Sequence, residues 1–426
     1  MSILKRTLGL SMLVFYGTGM ILGAGIYSII GKAAVEMGPS LWLGFVFAGV
    51  CALMTALSYA ELSALFPKSG AEFVYLREAF KNAKWIGGTA GIAMAFSGAA
   101  TAATVALAFA GYLNQFYISP AAIVASGILV LFTGLAIVGI KESAWFTVVS
   151  TLIEVGGLIF IIYLGWTSEK FGQALENPVM QNLLPGSALI MFSYFGFENI
   201  VTLAEETKKP ERDLPRALLI CVLIATTLYV LVSLSAVAMI DPKSLGESTA
   251  PMMTLAQSVS QKAGRLLGAI ALFSTANTAL ISLIGGSRIL FSMGEAKILP
   301  KSFALILPQR KTPWVASIII LVSALLLIPL GKLETVAAIS SLATMLAFFA
   351  VNVALISLRY TQKNLNRPFK VALNIGRFPL IAFFGAVFSV ILITQFEMKV
   401  YLISGGFLFF VAIALFVQER FFSNNR

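Results

Sequence analysis

Apolar runs of helical length recur from one end of the chain to the other, separated by short polar connections. They predict membrane spans near 8–31, 40–65, 86–113, 121–139, 143–166, 185–205, 215–240, 265–292, 314–331, 334–358, 378–396 and 400–419. A helix needs about 20 consecutive apolar residues to cross a hydrocarbon core. Within these runs apolar residues fill every face instead of one stripe, the pattern of helices surrounded by lipid or by other helices. Twelve spans put both termini on one side, and the connections are only loop-sized. The chain reads as a single all-α membrane domain over 1–426. The first run follows the short segment Met1 to Thr7; it is too long for the apolar core of a signal peptide and reads as a retained helix.

One connection carries its own pattern. In PKSGAEFVYLREAF, Pro67 to Phe80, the apolar Phe73, Leu76, Ala79 and Phe80 fall at helical spacing. This predicts a short helix at the membrane interface, leading into the third span.

Two runs are weakened at their centres. The first contains GTGMILGAGIY, Gly17 to Tyr27, with four glycines in nine positions. Each glycine costs a helix about 1 kcal/mol relative to alanine. The sixth run contains Phe192-Ser193-Tyr194-Phe195-Gly196-Phe197-Glu198, which places a glycine and a carboxylate mid-span. The breaks lie five spans apart. Five is odd, so a second five-span unit enters the membrane from the opposite face. Spans 1–5 (about 8–166) and 6–10 (about 185–358) then form an inverted repeat, with two additional helices at about 378–419. Paired broken helices in corresponding positions point to the central site of a secondary transporter. A break exposes free N–H groups at one new helix end and free C=O groups at the other. The first end attracts a carboxylate and the second an ammonium. Glycine lets the ligand approach the backbone without a Cβ in the way. The natural occupant of two opposed breaks is an α-amino acid. Glycine also serves plain helix packing, and Gly19 and Gly23 have the small-xxx-small spacing; the matching interruption of the sixth span favours a site.

Composition removes whole classes of function. Histidine is absent, so imidazole takes no part in metal binding, proton relay or Ser-His catalysis. Cys51 and Cys221 both lie in apolar runs and read as structural thiols, with no disulfide or zinc framework. No nucleophile motif, metal cluster or GxxxxGK[ST] stretch is present, which argues against an enzyme and against an ATP-driven pump in a single chain. The basic excess, 30 Lys and Arg against 19 Asp and Glu, would suit nucleic acid if it were clustered on one surface. Instead 23 of the 30 lie on the side of the N-terminus. That is the positive-inside asymmetry, and it puts both termini in the cytoplasm.

A few polar residues stand inside the runs. Glu154, in TLIEVGGL, is mid-span, where a carboxylate is costly and is a functional hypothesis by default. It reads either as a coupling group or as a structural partner for a basic residue such as Arg288. Ser274, Thr278 and Ser282 are spaced by four on one face of the eighth span, with Asn277 beside them. Such hydroxyls commonly bond their own helix backbone. Glu198 reads as a tie between the sixth-span break and its neighbours. Glu205 and Glu206, close to Lys208 and Lys209, read as solvated charges, and Glu61 as interfacial.

These residues resemble the amino acid–polyamine–organocation (APC) superfamily over nearly the whole chain. The resemblance is carried by ILGAGIY at 21–27, SYAELSALFPKSGAEFVYLREAF at 58–80, KESAWFTVVSTLIEVGGL at 141–158, FGFENIVTLAEETKKPERDLPRA at 195–217 and GGSRILFSMGEAKILP at 285–300. It implies a five-plus-five inverted-repeat (LeuT-like) fold and amino acid uptake or exchange across the cytoplasmic membrane. It also implies a substrate site between spans 1 and 6, supported by 3, 8 and 10. By that resemblance the amides of Gly23, Ala24 and Gly25 hold the substrate carboxylate. The carbonyls of Ile21, Phe192 and Phe195, beside Gly196, receive the amine, and Phe192 caps the site. Thr278 and Ser282 face the first break. Many bacterial members carry a lysine where this chain has Glu154, so the amine-based coupling of those members does not transfer. The expectation is a secondary active amino acid transporter with proton-coupled uptake. The alternatives are amino acid or amine exchange without a proton, and a polyamine carrier. Protons and the bilayer are the implied partners; no cofactor, metal or nucleic acid is implied.

Overall fold

A computed structural model of the protein describes residues 4, 6–172, 180, 182–248, 250–330 and 333–422. Of the N-terminal segment, Met1, Ser2, Ile3 and Lys5 lie outside the described residues. Every predicted run is helical. The first is two helices, α1 (Leu10–Leu22) and α2 (Ala24–Met37), divided at Gly23. There follow α3 (Leu41–Leu65), the short α4 (Ala71–Ala79), α5 (Lys84–Leu113), α6 (Ala121–Val138) and α7 (Ile140–Trp166). The sixth run is α8 (Leu183–Met191) continued by 3-10 helices at Phe192–Tyr194 and Phe197–Glu206. Then come α9 (Pro210–Met239), the short α10 (Pro242–Gly246) and α11 (Pro251–Gln257), α12 (Gln261–Glu295), α13 (Trp314–Leu327), α14 (Leu333–Thr361), α15 (Leu380–Ile393) and α16 (Met398–Phe422). Ten of the described segments are long and apolar enough to cross a membrane, and α13 and α15 are shorter apolar helices. A two-residue antiparallel pair, β1 (Asn374–Ile375) and β2 (Phe378–Pro379), turns at Gly376 ahead of α15.

The packing has the symmetry expected of a repeat. Exchange spans 1–5 for 6–10 and the helix pairs map onto each other. The pair α3–α9 and the pair α5–α12 each map onto themselves. The contact of α1 with α9 becomes that of α8 with α3, and α5 with α14 becomes α12 with α7. Likewise α5 with α13 becomes α12 with α6. Even the connections correspond: α4 packs on α5 and α14, and α11 packs on α12 and α7. The long α12 is buried over 83% of its apolar window and α16 over only 24%. A helix apolar all round is stable in either place, but only the central one can carry polar side chains inward at bearable cost.

The predicted short helix exists as α4, and it is packed against the protein. Phe73, Tyr75 and Leu76 are all buried, because α4 tucks under α5 and α14 inside the bundle. The lower half of the sixth span is a 3-10 helix of ten residues, long for that geometry.

Candidate functional site

Both interruptions are sharp. At Gly23 the backbone leaves helical geometry (φ −54°, ψ −139°) for a single residue before α2 starts at Ala24, of which the backbone alone is described. At the second break Phe195 is extended, and Gly196 takes φ +125°, a region closed to side chains with a Cβ. The breaks touch each other. A Cβ built on Gly25 would sit 2.6 Å from Ser193 Cα, and one on Gly196 would meet the backbone of Met20 at 3.2 Å. Gly23 backs onto Thr278, whose Oγ1 a Cβ there would overlap. Gly19 is packed against Thr151 and Asn277, and Gly17 against Ile200 and Cys221, so those two glycines serve helix contact.

The breaks open on one cavity. Ile21 and Gly25 line it from the first, Phe192 and Phe195 from the second, and Glu198, Thr278 and Ser282 from beside them. Gly23, Ala24 and Gly196 shape the breaks behind this wall. The Phe192 and Phe195 rings meet edge to face at 5.9 Å, and Phe195 in turn meets Phe348 of α14 at 5.7 Å. Across the cavity, α5 and α14 present a hydroxyl cluster. Ser340 Oγ lies 2.7 Å from Ser97 Oγ and 2.9 Å from Thr101 Oγ1, and Thr344 Oγ1 is 3.2 Å from Ser97. Thr278 and Ser282 each donate to the backbone of their own helix, to Ser274 O at 3.0 Å and Thr278 O at 2.8 Å.

Nothing in the linear pattern marks Tyr229, yet it joins the two breaks. Its buried hydroxyl reaches the carbonyl of Ile21, and that of Ser193 at 2.9 Å. One proton serves one carbonyl at a time, so the C-terminal ends of two half-helices share a single donor. The Phe192 carbonyl already accepts from Phe195 N at 3.3 Å, and each carbonyl keeps a second lone pair.

The acidic residues fall in places their neighbours in sequence do not indicate. Glu198 Oε2 accepts from Gly196 N at 2.8 Å and Oε1 from Asn199 Nδ2 at 3.4 Å, so these bonds brace its own break instead of tying it to a neighbouring helix. Glu154 is fully buried behind the first break, off the cavity wall. Asn277 donates to its Oε1 at 3.2 Å, and Oε2 has no hydrogen-bond partner among the described residues. The alternative pairing with Arg288 does not form, because Glu206 takes that guanidinium with bonds of 3.0 and 3.4 Å. Glu206 is thus a buried ion-pair partner and not a solvated charge. Its carbonyl also accepts from Thr7 N and Leu8 N, tying the base of α1 to the end of the sixth span. Glu205 is buried as well, 3.8 Å from Lys68. Glu61, expected at the interface, is enclosed by protein. It is fully buried and binds Arg359 at 2.5 and 2.7 Å, Arg367 at 2.7 Å and Val371 N at 2.8 Å. The segment after α14 folds back over the end of α3 and closes water out. A buried carboxylate needs that many donors to offset desolvation.

Glu72, on α4, was not among the expected site residues, and it lines the cavity. Tyr59 donates to its Oε1 at 2.7 Å, while Oε2 is buried without a partner among the described residues. Burial pushes this carboxyl up to about 7, against the pull of the Tyr59 bond. The sequence hint was available: a carboxylate one position before Phe73, whose spacing already predicted a helix.

A family model described as "Amino acid permease" matches residues 8–422. Among similar proteins, the branched-chain amino acid permease BcaP of Bacillus subtilis (strain 168) is 30% identical over 403 residues, covering 86% of this chain and 84% of that protein. The vacuolar cationic amino acid transporter 4 of Arabidopsis thaliana is 32% identical over 82% of this chain and 62% of its own length. The vacuolar cationic amino acid transporter 8 of the same plant is 27% identical over 83% and 63%. This chain therefore spans less than two thirds of those two plant proteins.

Proposed function

The chain belongs to the amino acid permease family, and from that premise we propose that it is a secondary transporter carrying amino acids inward with protons across the cytoplasmic membrane, both termini inside. One observation carries the reading: two broken helices meet at a single cavity, in contact at Gly25 and Ser193. Their N–H and C=O ends are the complement of a zwitterion's carboxylate and ammonium. Gly23, Ala24 and Gly25 are assigned to the carboxylate, and the carbonyls of Ile21, Phe192 and Phe195 to the amine. The aromatic pair Phe192 and Phe195 covers the ligand, with Gly196 providing the turn that follows them.

Glu154 is assigned to proton coupling, with Thr278, Ser282 and Glu198 supporting the moving halves. Its support is the oxygen beside Asn277 that has no hydrogen-bond partner among the described residues. A neutral carboxyl is far cheaper there than an anion, so protonation biases the half-helices packed against it. The relatives' names speak of branched-chain and of cationic amino acids, and both classes carry the zwitterion that this site reads.

The test is competition for a bound labelled amino acid in nanodiscs. N-acetylated and amidated forms of the ligand fail to compete if both helix ends are used. Equal competition by the amide would remove the carboxylate assignment and favour an amine or polyamine carrier. Counterflow in liposomes with and without a pH gradient separates symport from exchange.

A further inference from the structure

The cavity has two regions of different chemistry. Around the breaks, Met20, Ile21, Phe192 and Phe195 present apolar side chains. Beyond them two carboxyls, Glu72 and Glu198, face the same space, and no Lys or Arg stands on its described wall. Glu198 is already held by Gly196 N and Asn199. Glu72 is different. It is 1% exposed, and Tyr59 satisfies one oxygen while the other is left unpartnered among the described residues. A buried oxygen in that state is costly, and such groups in native proteins call for an explanation, often a bound species. If Glu72 served only to hold Tyr59, one oxygen would suffice and a glutamine would do as well. With the zwitterion's own charges taken at the helix ends, the part of the substrate left to meet this pair of carboxyls is its side chain.

We propose that this region is a subsite for a positively charged group at the tip of the substrate's side chain, a guanidinium or an ammonium, with Glu72 as the specificity-determining residue and Glu198 as its neighbour. The proposal rests on the reading of the cavity as an amino acid site and narrows its substrate class to cationic amino acids. Two carboxyls converging on a cation supply charge-assisted bonds, and a guanidinium has five N–H donors to place. The hydroxyls of Ser97, Thr101, Ser340 and Thr344 on the facing wall are acceptors for those that remain. A neutral side chain of equal size leaves Glu72 Oε2 buried and unpaired, which is the penalty by which such a site rejects it.

The experiment is equilibrium binding of arginine, its uncharged analogue citrulline, and leucine to the full chain in nanodiscs at about pH 8, where Glu72 is ionised. Arginine is expected to bind at least about tenfold tighter than citrulline, a difference of about 1.4 kcal/mol. Glu72→Gln keeps an acceptor for Tyr59 and removes the charge, so it should bring that ratio to within about threefold. A wild-type ratio near one, or a variant that weakens both ligands equally, overturns the subsite. So does a rise of citrulline affinity to that of arginine on adding sodium or potassium ions, since the carboxyls then hold a free cation. Failure of all three amino acids to bind sinks the amino acid reading itself, a different result. If the variant does not fold, the wild-type ratio decides alone.

Discussion

Gly25 is where the two breaks press together, and a single methyl group there tests the site. A Cβ built on Gly25 stands 2.6 Å from Ser193 Cα and 3.2 Å from Ser193 Cβ. Carbon atoms rest at about 3.5–4.0 Å, so Gly25→Ala must drive the half-helices apart by about 1 Å. The obstacle is backbone, so no side-chain rotation relieves it. A displacement of about 1 Å between groups that must act together costs on the order of 100-fold in a positioned site. Applied to binding, that is about 2.7 kcal/mol. Overpacking also costs the fold about 1–3 kcal/mol. The assay is scintillation proximity binding of a labelled amino acid, read beside the melting temperature in the same detergent. Gly156, mid-helix in α7 with nothing within 4 Å of an added Cβ, supplies the control. Gly156→Ala should leave both readouts unchanged or slightly raise the melting temperature, since alanine favours a helix over glycine by about 1 kcal/mol. If Gly25→Ala binds within about threefold of wild type, the contact of the breaks does not set the site, and the reasoning fails.

Glu154→Gln mimics the protonated carboxyl and keeps the bond from Asn277; labelled uptake into proteoliposomes should keep exchange but lose its stimulation by an inward proton gradient, and a full response to the gradient removes Glu154 from coupling. Arg288→Met strands Glu206 as a buried unpaired charge, at a cost of about 3–5 kcal/mol, whereas Arg288→Met with Glu206→Leu should recover much of that, both read by thermal melting. A double variant no more stable than the single one would show that the charge pair is not what Arg288 contributes. The Glu72 carboxyl is pushed up to about 7 and faces Tyr59, Tyr75 and Glu198. Only its ionised form attracts a cation, so arginine affinity should fall by up to about tenfold per pH unit as pH drops below that value, while citrulline affinity stays flat. Parallel pH profiles for the two ligands would refute the assignment.

The membrane class and the two breaks follow from local chemistry alone, whereas of the twelve predicted spans ten are long and apolar enough to cross a membrane among the described residues, and α13 and α15 are shorter apolar helices. Lipid admits only backbone that satisfies itself, so an apolar run of the right length has one fold open to it, and glycines at its middle mark where that fold yields. The five-span offset of the breaks is the ground for expecting an inverted repeat, and the paired packing of α3 with α9 and α5 with α12 is consistent with it. Ile21, Gly25, Phe192 and Phe195, named through the family resemblance at positions beside the breaks, all line the cavity. Tertiary structure decided the partners of the buried carboxylates Glu61 and Glu206. Glu61 meets Arg359 and Arg367 about 300 positions away, and Glu206 meets Arg288 rather than water. Whether a carboxylate at a helix end is solvated depends on what folds over it, and nothing in its flanking residues records that. Tyr229 was invisible on the same ground, and Glu72 was marked only as a carboxylate on a predicted helix, with nothing to say what it faces. One is a tyrosine in an apolar run and the other a glutamate in a loop helix until the bundle brings them to the breaks and the cavity. Spacing along a helix tells which residues share a face, and only the packing of other helices tells what that face looks at.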